Sequence, residues 1–372
     1  MSIKTLNADI LVIGGGAAGL SAAAEAAAAG AQVMILESDL QLGGQLIKQT
    51  HKFFGSKEEY AGTRGYKIAD VLLNEIEANS KYVSIHTNTT ATGYYPEDGM
   101  FTAMRGEEEY FHISAKKTIV ASGAQERLIP FPNNDLPGVY GAGAVQTLMN
   151  VYGVVPGNRV LMVGAGNIGL IVSYQLMQAG VEIVAVVEAA SRIGGYWVHA
   201  AKIRRLGVPI LLQHSIKKAL GTEIVTGAII HELDNKFSPV GNETQVECDV
   251  ICLAVGLSPT TEILSQAGCA MRYVPQLCGY VPVRDRTLRT SHPDFWVAGD
   301  ASGIEEASAA MVEGRIAGLC AANSLGLPVD MNKLGEYEAR LAALRAGEVG
   351  SKIREGISCI LCENWYEGAE IK

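Results

Sequence analysis

Two short stretches carry the residue types and spacing of a pyrophosphate cradle. In "GGGAAG", Gly14, Gly16 and Gly19 fit G-x-G-x-x-G around Ala17 and Ala18; in "GAGNIG", Gly164, Gly166 and Gly169 fit it again around Asn167 and Ile168. The chemistry this spacing serves is anion binding. The first Gly permits a tight turn, the second lets backbone amides approach a diphosphate at the positive end of a helix, and the third allows close helix–sheet packing. Glu37 and Glu188 follow at the ends of the next apolar stretches, placed to accept a hydrogen bond from a ribose 2′-hydroxyl. A Gly pattern alone is often just a sharp turn. With a strand, a helix and an acid in register, dinucleotide binding is the better reading.

The elements that must position these residues repeat once along the chain. "ADILVIGGGAAGLSAAAEAAAAGAQVMILES" reads as strand, Gly turn, Ala-rich helix and second strand, and "NRVLMVGAGNIGLIVSYQLMQAGVEIVAVVEA" has the same plan. Two βαβ units imply an α/β protein with two Rossmann-like dinucleotide-binding domains. Between them, alternating residues around "PEDG" and "RGEE" predict a small β-meander feeding a buried strand, Thr118 to Ala121. A last strand, Phe295 to Ala298, and a closing helix come after the second unit, so the second domain is expected to be inserted into a discontinuous first. The expected boundaries are 1–140 with 276–330 for the first domain, 141–275 for the second, and 331–372 for a C-terminal helical tail. In that tail Leu334, Tyr337, Leu341 and Leu344 form a stripe of three-and-four spacing, and Glu336, Glu338, Arg340 and Arg345 read as its solvated face.

Composition narrows the partners. The chain has 372 residues, a net charge of −9 and no basic run, which argues against nucleic acid. Seven Cys at irregular spacing read as reduced thiols in a cytoplasmic protein rather than a disulfide framework. The apolar N-terminal run is interrupted by its Gly cluster, carries Glu25 and leads straight into another strand; neither a signal peptide nor a transmembrane segment is expected. Cys359 and Cys362 form "CILC", but two ligands cannot close a tetrahedral site and no other close Cys or His pair completes it, so no metal is expected.

Further positions bear on the identity of the first dinucleotide. "GGQL" places Gly44 and Gln45 after the Glu37 strand, "VASGA" places Ala121, Ser122 and Gly123 at the end of another, and "WVAGD" places Gly299 and Asp300 at the end of a third. Asp300 is suited to bind a ribityl hydroxyl, and the helix after it can face a flavin's pyrimidine end. Together with "GGGAAG" and Glu37, this set resembles the two-dinucleotide-binding flavoprotein superfamily, which implies FAD in the first site. The dithiol reductases of that superfamily place two Cys either just after the "GG" or just ahead of the second nucleotide unit. Here "LGGQLIKQT" and "LPGVYGAGAVQTLMNVYGVVPG" contain none, so no redox-active disulfide is expected.

"DLPGVYGAGAVQTLM", "GDASGIEEASAAMVEGRIAG" and "EARLAALRAG" resemble the nucleotide-binding α subunits of heteromeric amine-oxidising flavoenzymes: proline and hydroxyproline dehydrogenases, opine oxidases, sarcosine oxidase and the matching subunit of hydrogen cyanide synthase. Glu305 and Glu306 depart from that pattern, standing where small residues are common beside the flavin. The resemblance implies an FAD-containing electron-transfer subunit whose amine is oxidised on a second flavoprotein subunit, with a small iron–sulfur protein as a further partner. No residue is a convincing general base, so the catalytic residues are unknown.

The second site stays open between two readings. Its terminal Glu188 favours NAD, or another adenine nucleotide, over NADP, because an acid repels a 2′-phosphate. The resemblance favours a structural repeat. If NAD binds, the alternative function is a stand-alone NADH-dependent reductase of a small electron carrier, like ferredoxin or rubredoxin reductases. A nucleotide-binding scaffold without redox chemistry is the third reading.

Overall fold

The computed structural model describes residues 3–53, 55–348 and 350–362. The end of the expected tail, 363–372, lies outside the described residues. The chain forms two compact units, the first made of Met1–Gln125 with Ser258–Lys372 and the second of Glu126–Leu257. In chain order the first unit begins with β1 (Lys4–Ile13), α1 (Ala17–Ala28), β2 (Val33–Leu36), α2 (Gly65–Ala78), β3 (Val83–His86), β4 (Thr89–Tyr95), β5 (Met100–Arg105) and β6 (Glu109–Val120). The short β7 (Ala124–Glu126) leads into the second unit. That unit holds β8 (Val139–Gly141), α3 (Ala142–Asn150), β9 (Arg159–Val163), α4 (Asn167–Gln178), β10 (Glu182–Glu188), α5 (Trp197–Arg205), β11 (Ile210–Leu212), β12 (His214–Leu220), β13 (Gly227–Leu233), β14 (Pro239–Val246) and β15 (Val250–Leu253). After β16 (Leu257–Pro259) the first unit closes with α6 (Glu262–Gln266), β17 (Met271–Val274), β18 (Gly279–Pro282), β19 (Phe295–Val297), α7 (Ala307–Ser324), α8 (Asn332–Leu344) and α9 (Ser351–Ser358).

The first unit is built on one sheet in the order β3-β2-β1-β6-β5-β4, with β19 also paired to β6. Strands β3, β2, β1, β6 and β19 run parallel, whereas β5 pairs antiparallel with β6 and β4 antiparallel with β5. The expected meander and the buried strand after it are therefore one sheet. The single strand β6 pairs with β5 over Glu109–Ser114 and with β19 over Thr118–Val120. Successive side chains of β1 point to opposite faces. Ile10 and Val12 enter the core under α1, α2, α7 and α8, and Leu11 and Ile13 enter the one that holds Phe101, Phe111 and Leu264. Burial on both faces explains why β1 reads as an unbroken apolar run.

In the second unit, β11-β10-β9-β15-β8 form an all-parallel sheet. Val160 and Met162 pack with the helices on one face, and Leu161 and Val163 pack on the other with the antiparallel β12-β13-β14. The contact boundaries fall earlier than the expected 140/141 and 275/276, for a physical reason on each side. Strand β8 pairs with β15, so the residues leading to it belong to the second sheet, whereas α6 buries Leu264 against the first. The described part of the tail groups with the first unit, because Leu334, Tyr337 and Leu341 of α8 enter its core. Among the described residues no helix is long and apolar enough to cross a membrane.

Candidate functional site

Helix α1 is an Ala-rich segment of high helix propensity, begun behind Gly16 and stopped at Gly30, whose φ of +90° turns the chain out of the helix. No side chain caps its N-terminus and no acid sits in its first turn. A twelve-residue helix thus presents bare amides and the positive end of its dipole.

Two of the three glycines are required by space. A Cβ on Gly14, which has a φ of +105°, would lie 2.3 Å from the Ala121 carbonyl oxygen, and one on Gly19 would lie 1.8 Å from that of Gly14. Gly16 differs: its nearest contact would be the Gly44 Cα at 3.8 Å, which leaves space over the helix end. Gly44, with φ +50°, approaches so closely that its own Cβ would meet the Gly16 Cα at 2.8 Å. The Gly43 amide donates to the Gly15 carbonyl at 2.8 Å and fixes this second arm of the cradle. Gln45 follows in the short helix Gly44–Lys48.

Glu37 is buried, and its carboxylate is already aimed. Oε2 accepts from the Gly15 amide at 2.8 Å, and Oε1 accepts from the Asp39 amide at 2.8 Å. A carboxylate has lone pairs left for a ribose hydroxyl and none to donate. At the neighbouring strand ends, Ser122 Oγ donates to the Thr260 carbonyl at 2.6 Å, and Gly123 takes a φ of +73°. Gly299, with φ +70°, is pressed against α1; a Cβ there would stand 2.9 Å from the Ala18 Cβ. Asp300 is thereby carried to the first turn of α1. Burial pushes its carboxyl up to about 7; a hydrogen bond from the Glu305 amide opposes that rise, and the nearby Glu313, Glu305 and Glu306 add to it.

These side chains fit FAD in three ways: an uncapped helix end with a cradle that side chains would fill, an acid at the ribose position, and an acid at the end of a third parallel strand. His51 stacks on Phe53 at 5.9 Å, and Lys48 ends the short helix after the diglycine.

The second unit repeats the cradle closely. Gly164 has φ +112°, and its Cβ would meet the Ala254 carbonyl oxygen at 2.3 Å; a Cβ on Gly169 would meet that of Gly164 at 2.1 Å. Glu188 Oε2 accepts from the Ala165 amide at 2.8 Å, and Gly166, Asn167 and Ile168 open α4 with no side-chain cap at Gly166. Sequence reading missed that the diglycine arm is repeated as well. Gly194 and Gly195 follow Glu188 at the spacing by which Gly43 and Gly44 follow Glu37. The Gly195 amide donates to the Ala165 carbonyl at 2.9 Å, and the Tyr196 amide to Asn167 Oδ1 at 2.8 Å. Aligning the two acids shows this arm, whereas Ala254 is the counterpart of Ala121 by its contact with the first glycine of the loop. A cavity of about 450 Å³ beside it is lined by Arg192, Gly194, Trp197 and Arg204 among others.

Of the Cys residues, Cys248, Cys252, Cys269 and Cys320 are buried; burial raises the Cys248 thiol to about 11. Cys359 is exposed at the end of α9, and Cys362 is half-buried. No group of three or more metal-ligating side chains occurs among the described residues. Arg345 is not on a solvated face but is 8% exposed. Glu305, expected beside the flavin, accepts a forked pair of hydrogen bonds from it.

Across 91% of its length the chain is 28% identical to one of the opine oxidase subunits of Agrobacterium tumefaciens (strain Ach5), covering 70% of that protein. Across 86% it is 27% identical to the alpha subunit of sarcosine oxidase from Corynebacterium sp. (strain P-1), of which it spans 33%. Its fold matches the crystal structure of L-proline dehydrogenase from P. horikoshii with a TM-score of 0.69 at 24% identity, over 92% of this chain and 60% of that one. Residues 8–314 match the pyridine nucleotide-disulphide oxidoreductase family, and with two glycine cradles on parallel sheets the chain belongs to that family of two-dinucleotide-binding flavoprotein oxidoreductases.

Proposed function

We propose that the chain is the FAD-containing electron-transfer subunit of a multi-subunit amine or imino-acid dehydrogenase or oxidase, acting on a substrate of the proline, hydroxyproline, opine or sarcosine kind. The observation that carries this reading is the likeness to an opine oxidase subunit over 91% of the chain. One feature of the sequence supports it: both stretches where a reductase would place its Cys pair lack Cys. Bound FAD would accept the substrate's electrons and release them onward. The chain's own part is then to hold the cofactor. Gly14, Gly16, Ala17, Ala18 and Gly19 receive the diphosphate, with Gly44 and Gln45 across from them. Glu37 takes the ribose, Ala121, Ser122 and Gly123 border the site, and Gly299 with Asp300 takes the ribityl chain.

Substrate oxidation then belongs to a second flavoprotein subunit, with a small iron–sulfur protein as a further carrier. The chain is to be expressed alone and with its genomic neighbours in a cytoplasmic host, and dye reduction followed with proline, hydroxyproline, sarcosine and opines. Turnover that needs the neighbours is expected; full turnover by the lone chain overturns the proposal.

A second reading rests on the repeated cradle. Gly164, Gly166, Gly169, Glu188 and the Gly194–Gly195 arm make a pocket suited to NAD or another adenine nucleotide, as a self-sufficient NADH-dependent reductase requires. Anaerobic mixing with NADH separates the two, because a reductase bleaches its flavin at once.

A further inference from the structure

Under the Gly299–Asp300 turn lies a closed ionic network. The Glu313 carboxylate, 3% exposed within α7, accepts from the Gly299 amide at 3.0 Å, Ser302 Oγ at 3.1 Å, Arg284 Nη2 at 3.0 Å and Arg345 Nη2 at 2.6 Å. Arg345 also grips Glu305, with Nε 3.0 Å from both carboxylate oxygens and Nη2 2.6 Å from one. The Glu305 amide in turn donates to Asp300 Oδ1 at 3.3 Å. Two guanidiniums and two carboxylates balance in charge. Burial works against the ionised Glu313, but the two arginines outweigh it and hold its carboxyl below the usual range.

We propose that Arg345, reaching in from the end of α8, is a positioning residue for the flavin: through Glu313 and Glu305 it holds both ends of the 299–305 segment in the shape the first cradle needs. This makes the helical tail a working part of that site, and it rests on the reading that the cradle binds FAD. Three observations support it. Gly299 lies just past the end of β19, so its amide has no ladder partner, and Glu313 accepts it instead. Gly299 takes a φ of +70°, one of several conformations open to glycine, and the bond from its amide to Glu313 selects it. Helix α8 is itself fastened to α1, the helix that opens the cradle, by Lys333 and Tyr337 hydrogen-bonded to Glu25 at 2.7 and 2.9 Å. The network therefore references Asp300 to the helix end that would hold the diphosphate. Only a planar fork can span both carboxylates at once; an ammonium keeps the charge and loses the span.

The test uses the full chain and two readouts. Glu305→Gln/Arg345→Gln removes one charge of each sign, so the buried balance is kept. It is expected to fold, to weaken FAD binding at least tenfold on reconstitution, and to raise amide exchange of residues 299–303 at least tenfold while β1 is unchanged. Arg345→Lys is expected to recover part of both effects. Wild-type FAD affinity and wild-type exchange in the double variant overturn the proposal. If that variant does not fold, Glu305→Gln alone decides: removing one negative charge is expected to raise the flavin midpoint potential and loosen residues 303–305, and no change in either overturns it. If the wild-type chain takes up no FAD, the cofactor reading falls. The flavin-positioning role falls with it, and the exchange data separate that outcome from a failure of the network itself.

Discussion

Glu37 and Glu188 make the same contact in the two units: each turns its Oε2 back on the second residue of its own glycine loop, accepting from the Gly15 and the Ala165 amide at 2.8 Å. The carboxylate is therefore set before any ribose arrives, and little side-chain entropy is left to lose on binding. The repeat makes the second site testable by itself. Glu188→Ala removes a charged acceptor, worth about 1.5–3 kcal/mol, so NAD affinity measured by titration calorimetry should fall roughly tenfold to a hundredfold. Discrimination against NADP should fall with it. NAD binding that is unaffected by the substitution would show the ribose to lie elsewhere.

Glycines of one motif should fail in different ways. Gly19→Ala forces a Cβ to 1.8 Å from a backbone oxygen, so it should destabilise the protein with or without flavin, by about 1–3 kcal/mol or more. Gly16→Val meets little of the protein itself, since the nearest atom to its Cβ stands 3.8 Å away; its side chain fills the space a diphosphate needs. Its melting temperature without flavin should stay near wild type while FAD uptake is lost. A yellow, stoichiometrically loaded Gly16→Val protein would refute the cradle assignment.

Asp300 yields a pH dependence with a definite sign. Its carboxyl is raised to about 7 in the folded protein from an ordinary 3.8, so between these values the folded state holds the proton that the unfolded state has released. Stability of the flavin-free protein should therefore fall as pH rises from about 4 to 7 and level off above. The full shift corresponds to at most about 4 kcal/mol, reduced by whatever water reaches this half-buried side chain. Asp300→Asn should flatten the profile and gain stability at pH 8, while FAD binding weakens. Urea unfolding at several pH values checks the slope, and an equally steep loss in the variant would place the titration elsewhere.

What was legible in the sequence was local. The unbroken apolar run at Ile10–Ile13, the Gly spacing and the acids at Glu37 and Glu188 announce themselves because each depends on neighbours within one βαβ unit. The ionic network was invisible for the opposite reason: Arg284, Arg345 and the pair Glu305 and Glu313 come from three separate segments and follow no periodicity. Arg345 reads as solvated in the sequence because an apolar stripe says nothing about a cation buried by a carboxylate at the end of the helix. The Gly194–Gly195 arm was legible but hidden by its neighbours, since "RIGGYW" shares little with "LGGQL" except distance from the acid.

The close approach of α1 and α7 is a further case, because it rests on two glycines whose purpose only the partner helix explains. A Cβ on Gly314 would lie 2.1 Å from the Ala18 carbonyl oxygen, and one on Gly318 would lie 2.2 Å from that of Ala22. The obstacle is backbone in both places, so no rotamer relieves it and the helices must part. Ala18 lies in the first turn of α1, so parting them also shifts the cradle. Gly314→Ala is expected to lower stability by about 1–3 kcal/mol and to weaken FAD retention together with it. Gly335→Ala supplies the contrast: it lies exposed on α8 with nothing within 4 Å of its Cβ, and should gain about 0.5–1 kcal/mol from helix propensity. Thermal unfolding of the two variants with and without added FAD measures both effects. A Gly314→Ala protein that melts with wild type and keeps its flavin would show that the α1–α7 contact does not set the cradle.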